Sequence, residues 1–100
     1  MKDIYNYIDE NIDEYISDLQ ELIRKPSVSA QNIGLKECAE YVKEQMHKDG
    51  LPADLYDIPG GPPLVFGHLK SSLSKKTLFC YSHYDVQPPE PIEKWSHGGP

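Results

Sequence analysis

One hundred residues carrying a net charge of −6 leave room for one small domain and not for two, and a pI near 5.0 excludes a general positive field for nucleic acid or an anionic membrane. With Gly counted and Tyr left out, the apolar share stays at 38%, under the roughly 45–50% of ordinary domains on that definition, so the core is lean. Cys38 and Cys80 form no C-x-x-C, which excludes a zinc ribbon and a redox pair. They read as buried or half-buried thiols of a reducing compartment. The first residues lack a signal-type apolar segment and no run reaches transmembrane length, so the expectation is a soluble cytoplasmic protein.

The chain begins with Ile4, Ile8, Ile12, Ile16, Leu19, Leu22 and Ile23 at spacings of three and four, the period of one amphipathic helix with that stripe turned to the core. Asp3 is the expected N-cap. Arg24 and Lys25 favour the C-terminal end of the helix dipole, and Pro26 stops the helix. Tyr5, Tyr7 and Tyr15 are expected to flank the core face with their hydroxyls in water.

Ser27–Asn32 reads as a polar connection with several candidate caps. A second helix is expected from about Gly34 to Asp49, with Leu35, Ala39, Val42 and Met46 as its apolar stripe and Gly50 as the terminating glycine. His47, near its end, reads as a surface or dipole-compensating residue. Leu51–Ile58 is expected as a short strand, Pro59–Pro63 as a turn and Leu64–Leu69 as a second strand with His68 half-buried beside Phe66. Ser71–Lys76 is a solvated loop. Two helices followed by strands indicate an α/β domain.

The segment Thr77-Leu78-Phe79-Cys80-Tyr81-Ser82-His83-Tyr84-Asp85-Val86-Gln87-Pro88 starts apolar and ends in side chains that bind metals. It is expected as a buried strand whose carboxyl end carries the chemistry. Residues two apart in an extended chain share a side, so His83 and Asp85 face one way and Tyr84 the other. A neutral imidazole ligates zinc well, and a carboxylate on its second ring nitrogen fixes the tautomer and raises ligand basicity. Spacing alone favours a His and an Asp that merely pair or cap the next turn, since H-x-D recurs by chance.

Ser82-His83-Tyr84-Asp85-Val86-Gln87-Pro88, led by the apolar run and followed by Trp95, resembles the N-terminal metal-site segment of the co-catalytic zinc peptidases. These comprise the carnosinase-type dipeptidases, the aminoacylases and the succinyl-diaminopimelate desuccinylases. The Asp-Val-Gln-Pro continuation is most similar to the dipeptidase branch. The likeness extends over Ile23-Arg24-Lys25-Pro26-Ser27-Val28-Ser29, Glu37-Cys38-Ala39-Glu40-Tyr41-Val42 and Val65-Phe66-Gly67. It implies that residues 1–100 are the N-terminal portion of a mostly parallel-sheet catalytic domain, incomplete here and without the lid or dimerisation domain. It further implies that His83 ligates one of two zinc ions and that Asp85 is the catalytic-site residue holding its imidazole. The reaction implied is attack of a metal-activated water on the amide of a dipeptide or an N-acyl amino acid.

The Gly-Arg-Gly segment with its following bridging Asp, and the Glu-Glu pair, which the resemblance requires downstream of Trp95, are not in the sequence. Glu90, Glu93 and His97 do not substitute for them. The expectation is therefore a chain that binds zinc weakly and is inactive alone. Interior strands lacking neighbours would also favour association, a homo-oligomer included. The alternative function is a non-catalytic remnant acting as a small interaction or oligomerising module. A site built by His83, Asp85 and His97 across a symmetric dimer is a third arrangement.

Overall fold

The structure, a computed structural model, describes residues 1–99; Pro100, the last residue of the Ser96–Pro100 segment, lies outside the described residues. It contains α1 (Lys2–Glu10), α2 (Ile12–Ile23), α3 (Leu35–Lys48), β1 (Ala53–Tyr56) and β2 (Leu64–Gly67), with short 3-10 turns at Ser29–Gln31 and Ile92–Lys94. Helix and sheet are thus both present. The sheet of the described residues is a two-stranded antiparallel hairpin, with Ala53 opposite Gly67 and Tyr56 opposite Leu64. The second strand ends at Gly67, short of the Leu69 expected.

The single first helix is in fact two. Asn11 breaks it with φ −113° and ψ 12°, and the reason is local. Its side-chain Nδ2 donates to the Tyr7 carbonyl at 2.7 Å, taking the acceptor that its own main-chain N–H would use in a continuous helix. That N–H turns to Ile8 instead. The N-cap is Met1 and not Asp3. No residue of α1 or α2 is buried. Ile4, Ile8, Ile12, Ile16, Leu19 and Ile23 form a largely exposed apolar face, contrary to the expected core face. The tyrosines beside it are exposed as well. Only one flank of α2 reaches α3, where Lys48 lies 3.7 Å from Asp18 and Lys25 sits 4.7 Å over the Tyr41 ring.

The second expected helix is α3, almost to the residue. Gly34 caps its start with φ 69°. At its end Gly50, at φ 78°, donates to His47 O while Leu51 donates to Met46 O. This is the paired closure of a Schellman motif. Leu35, Cys38 and Ala39 are buried and, with Val28 and Ala53, form the small core. The hairpin lies against α3 so closely that an added Cβ on Gly67 would come 2.6 Å from Met46 Cε and 2.9 Å from the Pro52 carbonyl. His47 joins the two layers, its Nε2 meeting the Ala53 carbonyl at 2.7 Å.

The largest departure from the sequence reading is the segment 77–85. It forms no strand, and Leu78, Phe79 and Tyr81 are 88%, 77% and 81% exposed. A strand exists by its ladder, and among the described residues nothing lies alongside this one to pair with. A groove of about 820 Å³ is lined by Val65, Phe66 and His68 together with Leu78 and Phe79. Cys80, expected buried or half-buried, is exposed with its segment, whereas Cys38 is buried as expected. His68, placed beyond the end of β2, is exposed and not half-buried.

Candidate metal-ligand site

The next main-chain pairing along the chain is at Val86. Its main-chain N–H donates to Ser27 O at 2.9 Å, and Val86 makes a parallel bridge with Val28. Val28 also bridges Ile33, so the connection between α2 and α3 is folded against the start of α3 and offers a fixed edge. Ser27 and Val28 are buried. Gly34 makes this possible: its φ of 69° and missing Cβ let Pro26 pack directly over it. This contact fixes the main chain next to His83, Tyr84 and Asp85.

Tyr84 and the pair His83 and Asp85 diverge as alternation requires. The Tyr84 hydroxyl donates to Pro63 O at 2.6 Å; burial pushes its pKa up, with Cys38 and Asp85 adding to the rise. On the other side, His83 Nδ1 lies 2.9 Å from Asp85 O and 3.2 Å from Asp85 Oδ1. Both partners are acceptors, so Nδ1 carries the proton and the neutral ring keeps its lone pair on Nε2. The side chain is 73% exposed, and nothing within the described hydrogen bonds occupies Nε2.

Asp85 is held from a second direction. Ser29 Oγ donates to Asp85 Oδ2 at 2.6 Å, so each carboxylate oxygen has one donor. The Ser29 hydrogen bond, opposed by desolvation and helped by His83, holds the carboxyl below its ordinary range. The ionised form that can orient the imidazole is therefore the favoured one.

The sequence reading missed Ser29 and Ser27. Both lie in a stretch read as a polar connection with candidate caps and as part of the family likeness, without a site role, and no local pattern joins Ser29 to Asp85, 56 residues apart. His47 and His68 stand apart from the site, the first tied to Ala53 O. Cys38 is not a ligand candidate: burial pushes its thiol pKa up, against smaller lowering effects of a hydrogen bond with Ser27 and of Lys25.

A ring nitrogen free for a metal, with the other nitrogen donated to a carboxylate, is the arrangement of a ligating histidine and its orienting partner. Among the described residues, however, no group of three or more His, Cys, Asp and Glu is gathered to hold an ion. The residues present fit one ligand and its support, not a closed metal site.

The comparisons with known proteins agree with this class: over more than nine-tenths of its length the chain is similar to metallodipeptidases, as the dipeptidase-branch resemblance implied. It is 33% identical over 106 residues to Cys-Gly metallodipeptidase dug1 of Schizosaccharomyces pombe, covering 93% of this chain and 22% of that protein. It is 28% identical over 108 residues to Cys-Gly metallodipeptidase DUG1 of Saccharomyces cerevisiae, covering 92% of this chain and again 22% of the relative. The chain thus spans about a fifth of the length of these curated relatives. No protein-family model matches it, and no solved structure does. No helix among the described residues is long and apolar enough to cross a membrane.

Proposed function

We propose that the chain is part of the catalytic domain of a zinc-dependent dipeptidase, with His83 ligating one zinc ion through Nε2 and Asp85 holding the ring. The observation that carries this reading is the Nδ1 contact of His83 with Asp85 in a chain similar to metallodipeptidases over nearly its whole length. The reaction is hydrolysis of a dipeptide or N-acyl amide bond in the cytoplasm. Cys-Gly, the dipeptide in the relatives' names, is the first substrate to try. A bound zinc ion supplies an activated water in sites of this type. Within this chain, His83 and Asp85 contribute one ligand and its orientation.

In this reading the remaining ligands of a two-zinc site, and the further strands of a mostly parallel sheet, come from outside residues 1–100. The chain by itself then binds zinc weakly and turns over no dipeptide. Zinc titration followed by the side-chain ¹⁵N signals of the histidines tests this. Perturbation should start at His83 Nε2 and be lost in His83→Ala. Equal zinc binding by wild type and His83→Ala would overturn the ligand assignment. Tight zinc retention with Cys-Gly turnover by pure monomer would overturn the inactivity.

A second reading, an oligomerising module without catalysis, is supported by the exposed apolar face of α1 and α2 and by Leu78, Phe79 and Tyr81. A defined oligomer indifferent to metal would favour it.

A further inference from the structure

We propose that Ser29 is a positioning residue for the metal-ligand histidine: its hydroxyl fixes the Asp85 carboxylate so that His83 keeps its proton on Nδ1 and presents Nε2. The argument starts from the number of points that hold Asp85. Its main chain is followed by the Val86 N–H bond to Ser27 O at 2.9 Å, which sets where the backbone lies. That bond leaves the carboxylate free to rotate about its own side-chain torsions. Among the described residues, the side-chain donor that fixes it, apart from the imidazole it is meant to orient, is Ser29 Oγ at 2.6 Å.

The geometry divides the carboxylate's labour. Oδ2 is taken by Ser29, and Oδ1 is left for His83 at 3.2 Å. The imidazole proton is also shared with Asp85 O at 2.9 Å. Without the Ser29 donor the carboxylate gains rotamers that turn Oδ1 away, and the ring keeps only one acceptor on Nδ1. An imidazole less firmly bonded at Nδ1 returns toward the Nε2–H tautomer, which carries its proton where a metal must bind. Ser29 also sits on a fixed support. Its neighbour Val28 is buried and bridged on two sides, to Ile33 and to Val86, so the hydroxyl is delivered by a braced segment although the side chain itself is exposed.

The inference deepens the metal-ligand reading of His83 and rests on it for its consequence, but its test needs no metal. Side-chain ¹⁵N–¹H correlation spectra of the 100-residue chain at about pH 8, above the ordinary histidine range, report the tautomer of each ring. Wild type should show His83 with its proton on Nδ1. Ser29→Ala should raise the Nε2–H share of His83 by about fivefold, the size of one hydrogen bond lost, and Ser29→Thr should restore it. His47, whose Nε2 faces the Ala53 carbonyl, is an internal reference that should not move. An unchanged His83 tautomer in a folded Ser29→Ala chain overturns the proposal.

Should His47 shift as well, the fold itself has changed. The decisive pair is then Ser29→Thr against Ser29→Val, alike in shape and different only in the hydroxyl. Thr should keep the wild-type tautomer and Val should lose it; equal behaviour of the two overturns the proposal. Zinc titration of the same samples separates the two readings. A tautomer change with no zinc contact at His83 upholds the role of Ser29 and removes the ligand assignment, and zinc contact with an unmoved tautomer does the reverse.

Discussion

A Cβ placed on Gly34 would lie 2.1 Å from the carbonyl oxygen of Pro26. Gly34 also has φ 69°, a conformation costing a β-carbon residue about 1–2 kcal/mol. The two effects are separable. Gly34→Ala meets both, and Gly34→Asn relieves much of the conformational cost but not the overlap. Both variants should therefore lose about 2 kcal/mol or more, because backbone must move to admit the Cβ. Urea unfolding checks this; recovery of wild-type stability by Gly34→Asn would mean that the close approach is not what requires glycine.

The same pair explains what could be read from the sequence and what could not. Gly50 and the stripe Leu35, Ala39, Val42 and Met46 are local signals, and α3 follows them nearly to the residue. The pairing of His83 with Asp85 is local too, since alternation over two residues brings them together. Ser29 meets Asp85 only because Gly34 folds the preceding connection back, and a contact of that kind has no sequence period. The segment Thr77–Tyr81 failed for the opposite reason. Its apolar composition describes a strand that needs neighbours, and composition cannot supply the ladder. The break at Asn11 comes from a side chain that bonds the i−4 carbonyl, and the apolar stripe, which runs through it at helical spacing, carries no sign of it.

His47 should prove structural. Its Nε2 bond to Ala53 O joins the end of α3 to β1, and one such bond contributes about 1 kcal/mol. His47→Ala should lower stability by that amount and leave the zinc contact at His83 unchanged. Loss of zinc perturbation in His47→Ala, measured in the same ¹⁵N titration, would count against the assignment of the two histidines to different roles.

The two cysteines should differ sharply toward a thiol reagent. Cys80 is exposed and Cys38 buried, with burial pushing the Cys38 thiol pKa up, so its reactive thiolate is scarce. One thiol should be alkylated quickly at neutral pH and the second only on unfolding. The raised pKa also fixes a sign. The fold prefers the neutral thiol, so this contribution is whole below the unfolded thiol pKa of about 8.5 and is lost as pH rises through the folded value. Unfolding midpoints taken from neutral pH to about 9.5, short of the ordinary tyrosine range, should fall, and fall less in Cys38→Ala.

The apolar face of α1 and α2 has a measurable consequence. Ile4, Ile12, Ile16 and Leu19 are all exposed, on a chain whose charge of −6 provides some repulsion. Contiguous apolar surface of this kind associates. Sedimentation should show mass rising with concentration, and Ile12→Glu with Ile16→Glu should lower it while barely changing stability, since half-exposed side chains contribute little to the folded state. A wild-type chain that stays monomeric at high concentration and unfolds in one sharp transition would show that these side chains are tolerated in water.

Asp85 gives the most direct test of how the site is held, because its two jobs can be taken apart. Asp85→Asn keeps an oxygen that can accept the His83 proton, and the Ser29 hydroxyl can turn to accept from the new amide. It removes only the charge. Asp85→Ala removes the charge and both side-chain bonds, leaving the imidazole with the main-chain carbonyl of residue 85, 2.9 Å away in the native chain. If orientation dominates, Asp85→Asn should weaken zinc binding at His83 slightly. Asp85→Ala should then weaken it by about 10–100-fold, the range for partners that orient a ligand. If charge dominates, the two variants should fall together. Orientation is the expected result: Ser29 and His83 each take a separate oxygen of the carboxylate, a geometry that fixes direction, whereas a charge alone would act at the same distance with either oxygen turned toward the ring.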